Sequence, residues 1–205
     1  MQEAEITGVT KASPKLAGDI WALHSAHTTS RTVLISWMPP SPGFLEVNFD
    51  GSVDDEERCS GVGFAIRDHD SKLVAAHGRR TFDSTVVCTE LRAAWEGIYY
   101  ARRTLGADHI ILECDSATVV EWIQRQGCTA EDRLLIHEIC RLMEECDSHQ
   151  ASHVFREANE AVDWVASYTA HHSGGFVWVG SGSIPGPLCS VLFSNFVDCI
   201  HIRSV

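Results

Sequence analysis

Four acidic residues sit where a run of regular structure begins, ends or turns. Asp50 follows the alternating run Leu45, Val47, Phe49 and precedes Gly51 and Ser52, and Asp115 follows an apolar run and precedes Ser116. Glu90 opens a helical stretch beside Leu91, and Asp163 lies between Val162 and Trp164, one turn beyond Asn159. Side chains just past the carboxyl ends of adjacent parallel strands share one crevice, where ligands bind. If the strands before Asp50 and Asp115 are neighbours, those two carboxylates meet there, and Glu90 and Asp163 arrive from helices. Crowded carboxylates repel one another until divalent cations intervene, and hard oxygen donors suit Mg²⁺, with Mn²⁺ as a substitute. Two such ions about 3.5–4 Å apart can clamp an in-line phosphoryl displacement, so the chemistry indicated is phosphodiester hydrolysis. Singly, each residue also has an ordinary reading: Asp50 in a turn, Glu90 as a helix-start charge favoured by the dipole, Asp163 on a solvated face. Spacing alone does not choose between the two.

The elements that must hold these residues can be read from apolar spacing. Leu45, Val47 and Phe49 share one face of a half-buried strand over 44–50. Residues 63–67 form a second strand, Asp68-His69-Asp70-Ser71 a hairpin turn, and 73–79 a third strand. Leu91, Ala94, Trp95, Ile98 and Ala101 recur at helical spacing over about 88–104, and Gly106 ends that helix. The near-continuous apolar run 109–114 suits a central strand covered on both faces. Ser116 can cap a helix carrying Val119, Val120 and Ile123, and a further helix over 131–146 carries Leu135, Ile139 and Leu142. Residues 152–155 read as a fifth strand, and Ala161, Val162, Val165 and Ala166 line a last helix. The order β-β-β-α-β-α-α-β-α implies an α/β domain on a mixed sheet.

The chain of 205 residues fits one domain plus extensions. Trp37-Met38-Pro39-Pro40-Ser41-Pro42-Gly43 cannot enter a helix or central strand, so 1–43 is expected as an N-terminal extension ending in a proline-rich linker. Glycines and prolines recur over 173–187. The domain therefore spans 44–172, followed by a C-terminal tail over 173–205, of which 188–205 is apolar enough for a short helix or strand. The net charge is −12, and residues 42–173 carry it all, with 24 acidic and 12 basic side chains. That excludes gripping nucleic acid by charge alone. No apolar run reaches the ~18 residues of a membrane span, so no membrane partner is expected. The opening residues are too polar for a secretory signal. Eight cysteines include no C-x-x-C pair, and together with the absence of a secretory signal this points to an intracellular, reducing compartment, nucleus or cytoplasm. A monomer is expected.

Five motifs occur in register: Asn48-Phe49-Asp50-Gly51-Ser52, then 61–68, then Thr89-Glu90-Leu91-Arg92-Ala93-Ala94, then Glu113-Cys114-Asp115-Ser116, then 153–163. Together they resemble the type 1 ribonuclease H domain, in the plant reverse-transcriptase-like branch found in retroelement-derived proteins. The resemblance covers about 44–172. It implies a ribonuclease H-like fold, a five-stranded mixed sheet of three antiparallel strands and then parallel additions, flanked by helices. It also implies a two-metal endonuclease that cuts the RNA strand of an RNA–DNA hybrid. Matched position by position, the metal-binding and catalytic carboxylates are Asp50, Glu90, Asp115 and Asp163. His153 matches a histidine that helps protons or product leave, and Gly51, Ser52, Ser116 and Asn159 match substrate-binding positions.

The sequence also departs from that pattern. Cellular members place two asparagines shortly before the catalytic glutamate to read the minor groove, and here the positions hold Val86-Val87-Cys88. A glutamine after the third carboxylate's serine is replaced by Ala117. The competing reading is a domesticated domain that binds nucleic acid or protein with little cleavage, which the retained carboxylates oppose. A 3′–5′ exonuclease would need an acidic residue where Ser52 stands. A zinc module at Cys140, Cys146, His149 and His153 fails because the two cysteines point apart on a helix.

Overall fold

The computed structural model describes residues 32–204, apart from 55, 57–58, 84, 129–131, 173, 181–183 and 198–199. Most of the expected N-terminal extension, residues 1–31, lies outside the described residues. The strands are β1 (Thr32–Ile35), β2 (Leu45–Asp54), β3 (Cys59–Arg67), β4 (Leu73–Thr81), β5 (His109–Cys114), β6 (Ser148–His153), β7 (Phe176–Val179) and β8 (His201–Ser204). The helices are α1 (Val86–Arg103), α2 (Ala117–Arg125), α3 (Arg133–Glu144), α4 (Arg156–His171) and α5 (Gly186–Phe196). No helix among the described residues is long and apolar enough to cross a membrane.

The main sheet runs β6-β5-β2-β3-β4-β7. β2, β3 and β4 form an antiparallel meander, β5 lies parallel to β2, and β6 lies parallel to β5. This is the mixed α/β sheet that the sequence implies, with six strands rather than five. The sixth, β7, comes from the expected tail and pairs antiparallel with β4, placing Trp178 opposite Ala76. It covers an edge that would otherwise present unpaired backbone groups. The same tail supplies α5, whose Leu188 is fully buried against Ala161 and Val165 of α4, and β8, which pairs with β1 in a separate two-stranded sheet.

One face of the sheet carries the larger apolar core. Val47, Phe49, Phe64, Ile66, Ile110 and Leu112 meet Leu91, Ala94, Ile98 and Ala101 of α1, with Ile123 of α2 and Ile139 and Leu142 of α3. α4 lies against the other face and approaches it closely because glycines line the contact. A Cβ on Gly61 would stand 2.4 Å from the Ala166 carbonyl oxygen and 2.4 Å from the Ala170 nitrogen, and one on Gly63 would stand 2.7 Å from Val165 Cγ1. Thr169 Oγ1 donates to the Val62 carbonyl across that seam, at 3.2 Å.

β2 departs from the sequence expectation in two ways. Gly51 and Ser52 do not turn the chain away after Asp50; pairing with β3 continues to Asp54↔Cys59. Nor is the strand half-buried, since Glu46 and Asn48 are as fully buried as Val47 and Phe49. The second face is closed by residues outside the periodic stretch. Trp37 Nε1 donates to Glu46 Oε1 at 2.6 Å, and Arg67 reaches Asn48 Oδ1 at 2.5 Å and Asn195 Oδ1 of α5 at 2.8 Å. β6 also begins earlier than expected, at Ser148 rather than 152.

Candidate active site

The parallel ladder between β2 and β5 ends at Asn48↔Glu113. Two residues further on come Asp50, still within β2, and Asp115, just past the end of β5, so that register sets them side by side where β5 stops. Asp50 is brought out by the shortness of its neighbour and not by the end of its own strand. α1 delivers Glu90, which is the fifth helical residue and not the first. Its approach depends on Gly51, where a Cβ would stand 2.5 Å from the Glu90 nitrogen and 2.6 Å from the Thr89 carbonyl carbon. The glycine after Asp50 thus faces α1 and lets the helix backbone settle onto the strand.

Oxygens of Asp50, Glu90 and Asp115 lie within 4.8 Å of one another. Asp50 and Glu90 are each 7% exposed. Burial pushes the Asp50 carboxyl well above the usual carboxylate range, and the charges of Asp115, Asp163 and Glu90 push it the same way. Glu90 rises to about 7, chiefly through burial and secondarily through Asp115, while a hydrogen bond from Ser116 opposes the shift. Glu90 Oε2 is buried without a hydrogen-bond partner. Such a trio is costly as three anions in a low-dielectric setting, and it offers hard oxygen donors of the kind a small divalent cation takes.

Asp163 stands outside the trio but close enough for its charge to act on Asp50. Its Oδ1 accepts from Arg156 Nη2 at 2.9 Å, with Arg156 69% exposed. Asn159, one turn earlier on α4, is buried and donates Nδ2 to the Phe49 carbonyl at 3.2 Å, which fixes the backbone next to Asp50. Ser116 sits at the N-cap position of α2 without a side-chain cap; its hydrogen bond goes to Glu90. Ser52 continues β2 opposite Gly61. His153 ends β6, and its Nε2 lies 3.1 Å from the Asp115 carbonyl oxygen. The zinc candidates do not gather: Cys140 Sγ donates to the Ile123 carbonyl, Cys146 Sγ to the Leu142 carbonyl, and His153 sits at Asp115. Val86, on the first turn of α1, is 50% exposed.

A family model described as reverse transcriptase-like matches residues 48–169. The chain belongs to the reverse transcriptase-like family. Solved structures show the family fold as a ribonuclease H fold. An RNase H1 from Halobacterium salinarum superposes with a TM-score of 0.57 at 24% identity, over 62% of this chain and 96% of that one. The N-terminal RNase H domain of a Mycobacterium tuberculosis protein gives 0.57 at 22% identity, over 62% and 93%. LC11-RNase H1, solved in complex with an RNA/DNA hybrid, gives 0.55 at 15% identity, over 62% and 96%. Among curated proteins, this family member is 24% identical over 144 residues to the Arabidopsis thaliana "Putative ribonuclease H protein". The match covers 70% of this chain and 23% of that relative, so the chain spans less than a quarter of its length.

In this reverse transcriptase-like domain, Arg156 of the 153–163 motif and a buried polar network extend the surroundings of the carboxylates, and only the network escapes the sequence. Arg156 stands at the rim of the carboxylate cluster, raised by Asp163 first and then by Asp115 and Asp50. The buried network of Glu46, Asn48, Arg67 and Glu113 lies on the same strand face as Asp50; Asn48 Nδ2 and Glu113 Oε2 are 3.5 Å apart. A period-two pattern reads Glu46 and Asn48 as solvated; their cover comes from Trp37, nine residues before Glu46, and from Arg67 held by Asn195, far away in sequence.

Proposed function

We propose that this chain is a divalent-metal-dependent endonuclease that hydrolyses the RNA strand of RNA–DNA hybrids. The observation that carries the reading is the trio of buried Asp50 and Glu90 with half-buried Asp115, oxygens within 4.8 Å of one another, where β5 stops in a ribonuclease H-like sheet. The donor set fits Mg²⁺ or Mn²⁺: hard oxygens only, with one buried carboxylate oxygen lacking a hydrogen-bond partner. When bound, a pair of such ions supplies Lewis acidity to the attacking water and to the leaving oxygen of an in-line displacement.

The chain's own residues hold, orient and move protons. Asp50, Glu90 and Asp115 are the ligands, and Asp163 is the fourth. Arg156 is exposed enough to turn from Asp163 to a substrate phosphate, which frees that carboxylate for the site. Asn159 and Ser116 keep Asp50 and Glu90 in place. His153 donates from Nε2 to the Asp115 carbonyl, so Nδ1 is the nitrogen that accepts a proton as product leaves. Gly51 and Ser52 form the strand floor beside the scissile phosphate.

A second reading is a descendant that binds without cutting. It is favoured by the half-exposed Val86, which offers no hydrogen bond to a 2′-hydroxyl, and by the excess of acidic side chains. The deciding experiment is cleavage of a labelled hybrid with Mg²⁺, with Mn²⁺ and with chelator, beside single-stranded and double-stranded RNA. Metal-dependent cutting confined to the hybrid supports the nuclease. A folded protein that binds the hybrid and leaves it intact in both metals supports the binding descendant.

A further inference from the structure

A second group of potential ligands lies at the far end of the β2–β3 hairpin, where Asp54 and Cys59 are register partners. His171, at the C-terminal end of α4, reaches them, and ligand atoms of Asp54, Cys59 and His171 fall within 4.8 Å of one another. The hydrogen bonding of His171 defines which nitrogen faces the group. Nδ1 lies 2.9 Å from the Ser167 carbonyl oxygen, which can only accept, so Nδ1 carries a hydrogen. Nε2 then faces Asp54 Oδ2 at 3.2 Å. In the neutral ring both atoms are acceptors, so the contact needs a second ring proton or a cation between them. An imidazole whose other nitrogen donates to a backbone carbonyl is the usual state of a metal-bound histidine.

We propose that Asp54, Cys59 and His171 form a Zn²⁺ site separate from the carboxylate cluster. The thiol decides the class of metal, because sulfur beside imidazole suits zinc and not magnesium. With bonds of about 2.0–2.2 Å to nitrogen and oxygen, a tetrahedral ion sets those two donors roughly 3.3–3.5 Å apart. The observed 3.2 Å between His171 and Asp54 is already near that edge. Binding converts the Cys59 thiol to thiolate, with its proton released to solvent, and leaves the fourth position to water on the exposed side of His171. The ion ties the end of α4 to the hairpin whose first strand, β2, carries both Asp54 and Asp50.

The test is titration of the reduced, metal-stripped full chain with Co²⁺, with Mg²⁺ in excess to occupy the carboxylates. One equivalent produces tetrahedral absorption with a thiolate-to-cobalt charge-transfer band, which Zn²⁺ abolishes by displacement. The band persists in D50N and is lost in C59S and in H171Q. His171 is exposed, so H171Q reports on the site even where the buried C59S fails to fold. Absence of a charge-transfer band in the wild-type chain, or a band that survives in H171Q, overturns the proposal.

Discussion

Asp50 and Glu90 are the residues on which the proposed chemistry turns, and their raised pKa values should make the metal-free protein sensitive to pH. Glu90 rises from an ordinary 4.5 to about 7, and Asp50 moves in the same direction. A carboxyl that keeps its proton longer when folded stabilises the fold below about pH 4.5. That contribution disappears as pH rises, once the unfolded chain ionises and the native one does not. For Glu90 alone the loss is roughly 3 kcal/mol by about pH 7. Metal-free denaturation should therefore show falling stability across that window, and Mg²⁺ should raise the melting temperature more at pH 8 than at pH 5. A flat profile with a pH-independent Mg²⁺ effect would contradict the assignment. Arg156 gives a second prediction at this scale: R156A should weaken hybrid binding several-fold while melting within ~0.5 kcal/mol of wild type, because its side chain is mostly exposed. Asp50, Glu90, Asp115 and Asp163 stood out as candidates beside apolar runs, but it was the five motifs in register, not the spacing, that singled them out as a set. The pairing of Asp163 with Arg156 was not legible, since an i to i+7 contact on one helix leaves no apolar signature.

At the scale of elements, glycines set how closely the helices approach the sheet and so where the carboxylates meet. G51A would drive a methyl into the backbone of α1 at Thr89 and Glu90, and neither partner is a flexible side-chain end. Overpacking of this kind costs about 1–3 kcal/mol. G51A should lower the free energy of unfolding by that amount and also blunt the Mg²⁺ effect on melting, because Glu90 moves away from Asp50. G61A, against the backbone of α4 at Ala166 and Ala170, should destabilise to a similar degree; wild-type melting for either variant would show that the seams are looser than described. Strand and helix identities came through from periodicity, but the limits of β2 did not. Gly51-Ser52 reads as a turn by composition, yet pairing with β3 holds the chain extended through Asp54.

The whole molecule depends on its flanks more than the apolar pattern of the middle domain suggests. Trp37 covers Glu46 and Arg67 from one side, and Asn195 accepts from Arg67 on the other. Arg67 is nearly fully buried, and burial lowers its pKa to about 10, offset by Glu46 and Glu113, so it stays charged at neutral pH. A chain ending at residue 172 loses β7, α5 and the Asn195 partner. It should melt lower and expose the apolar surface formed by Ala65, Ala76 and Val162, which Trp178 and Leu192 otherwise cover. Unchanged melting and no gain in binding of a hydrophobic dye would show the tail to be dispensable. The tail was legible only as a short helix or strand over 188–205, because its two short strands and one helix dock on partners built elsewhere in the chain. The domain's acidic excess acts at this scale too: under the proposed function, bound metal ions would be what lets a phosphate backbone approach the site.

The most direct test of the central claim compares wild type with D50N on one labelled RNA–DNA hybrid in Mg²⁺, with binding followed alongside cleavage. Wild type should cut the RNA strand, and D50N should bind the hybrid, keep its fold and cut at least ~100-fold more slowly. Cleavage by D50N at the wild-type rate would show that the trio of Asp50, Glu90 and Asp115 is not where the reaction takes place.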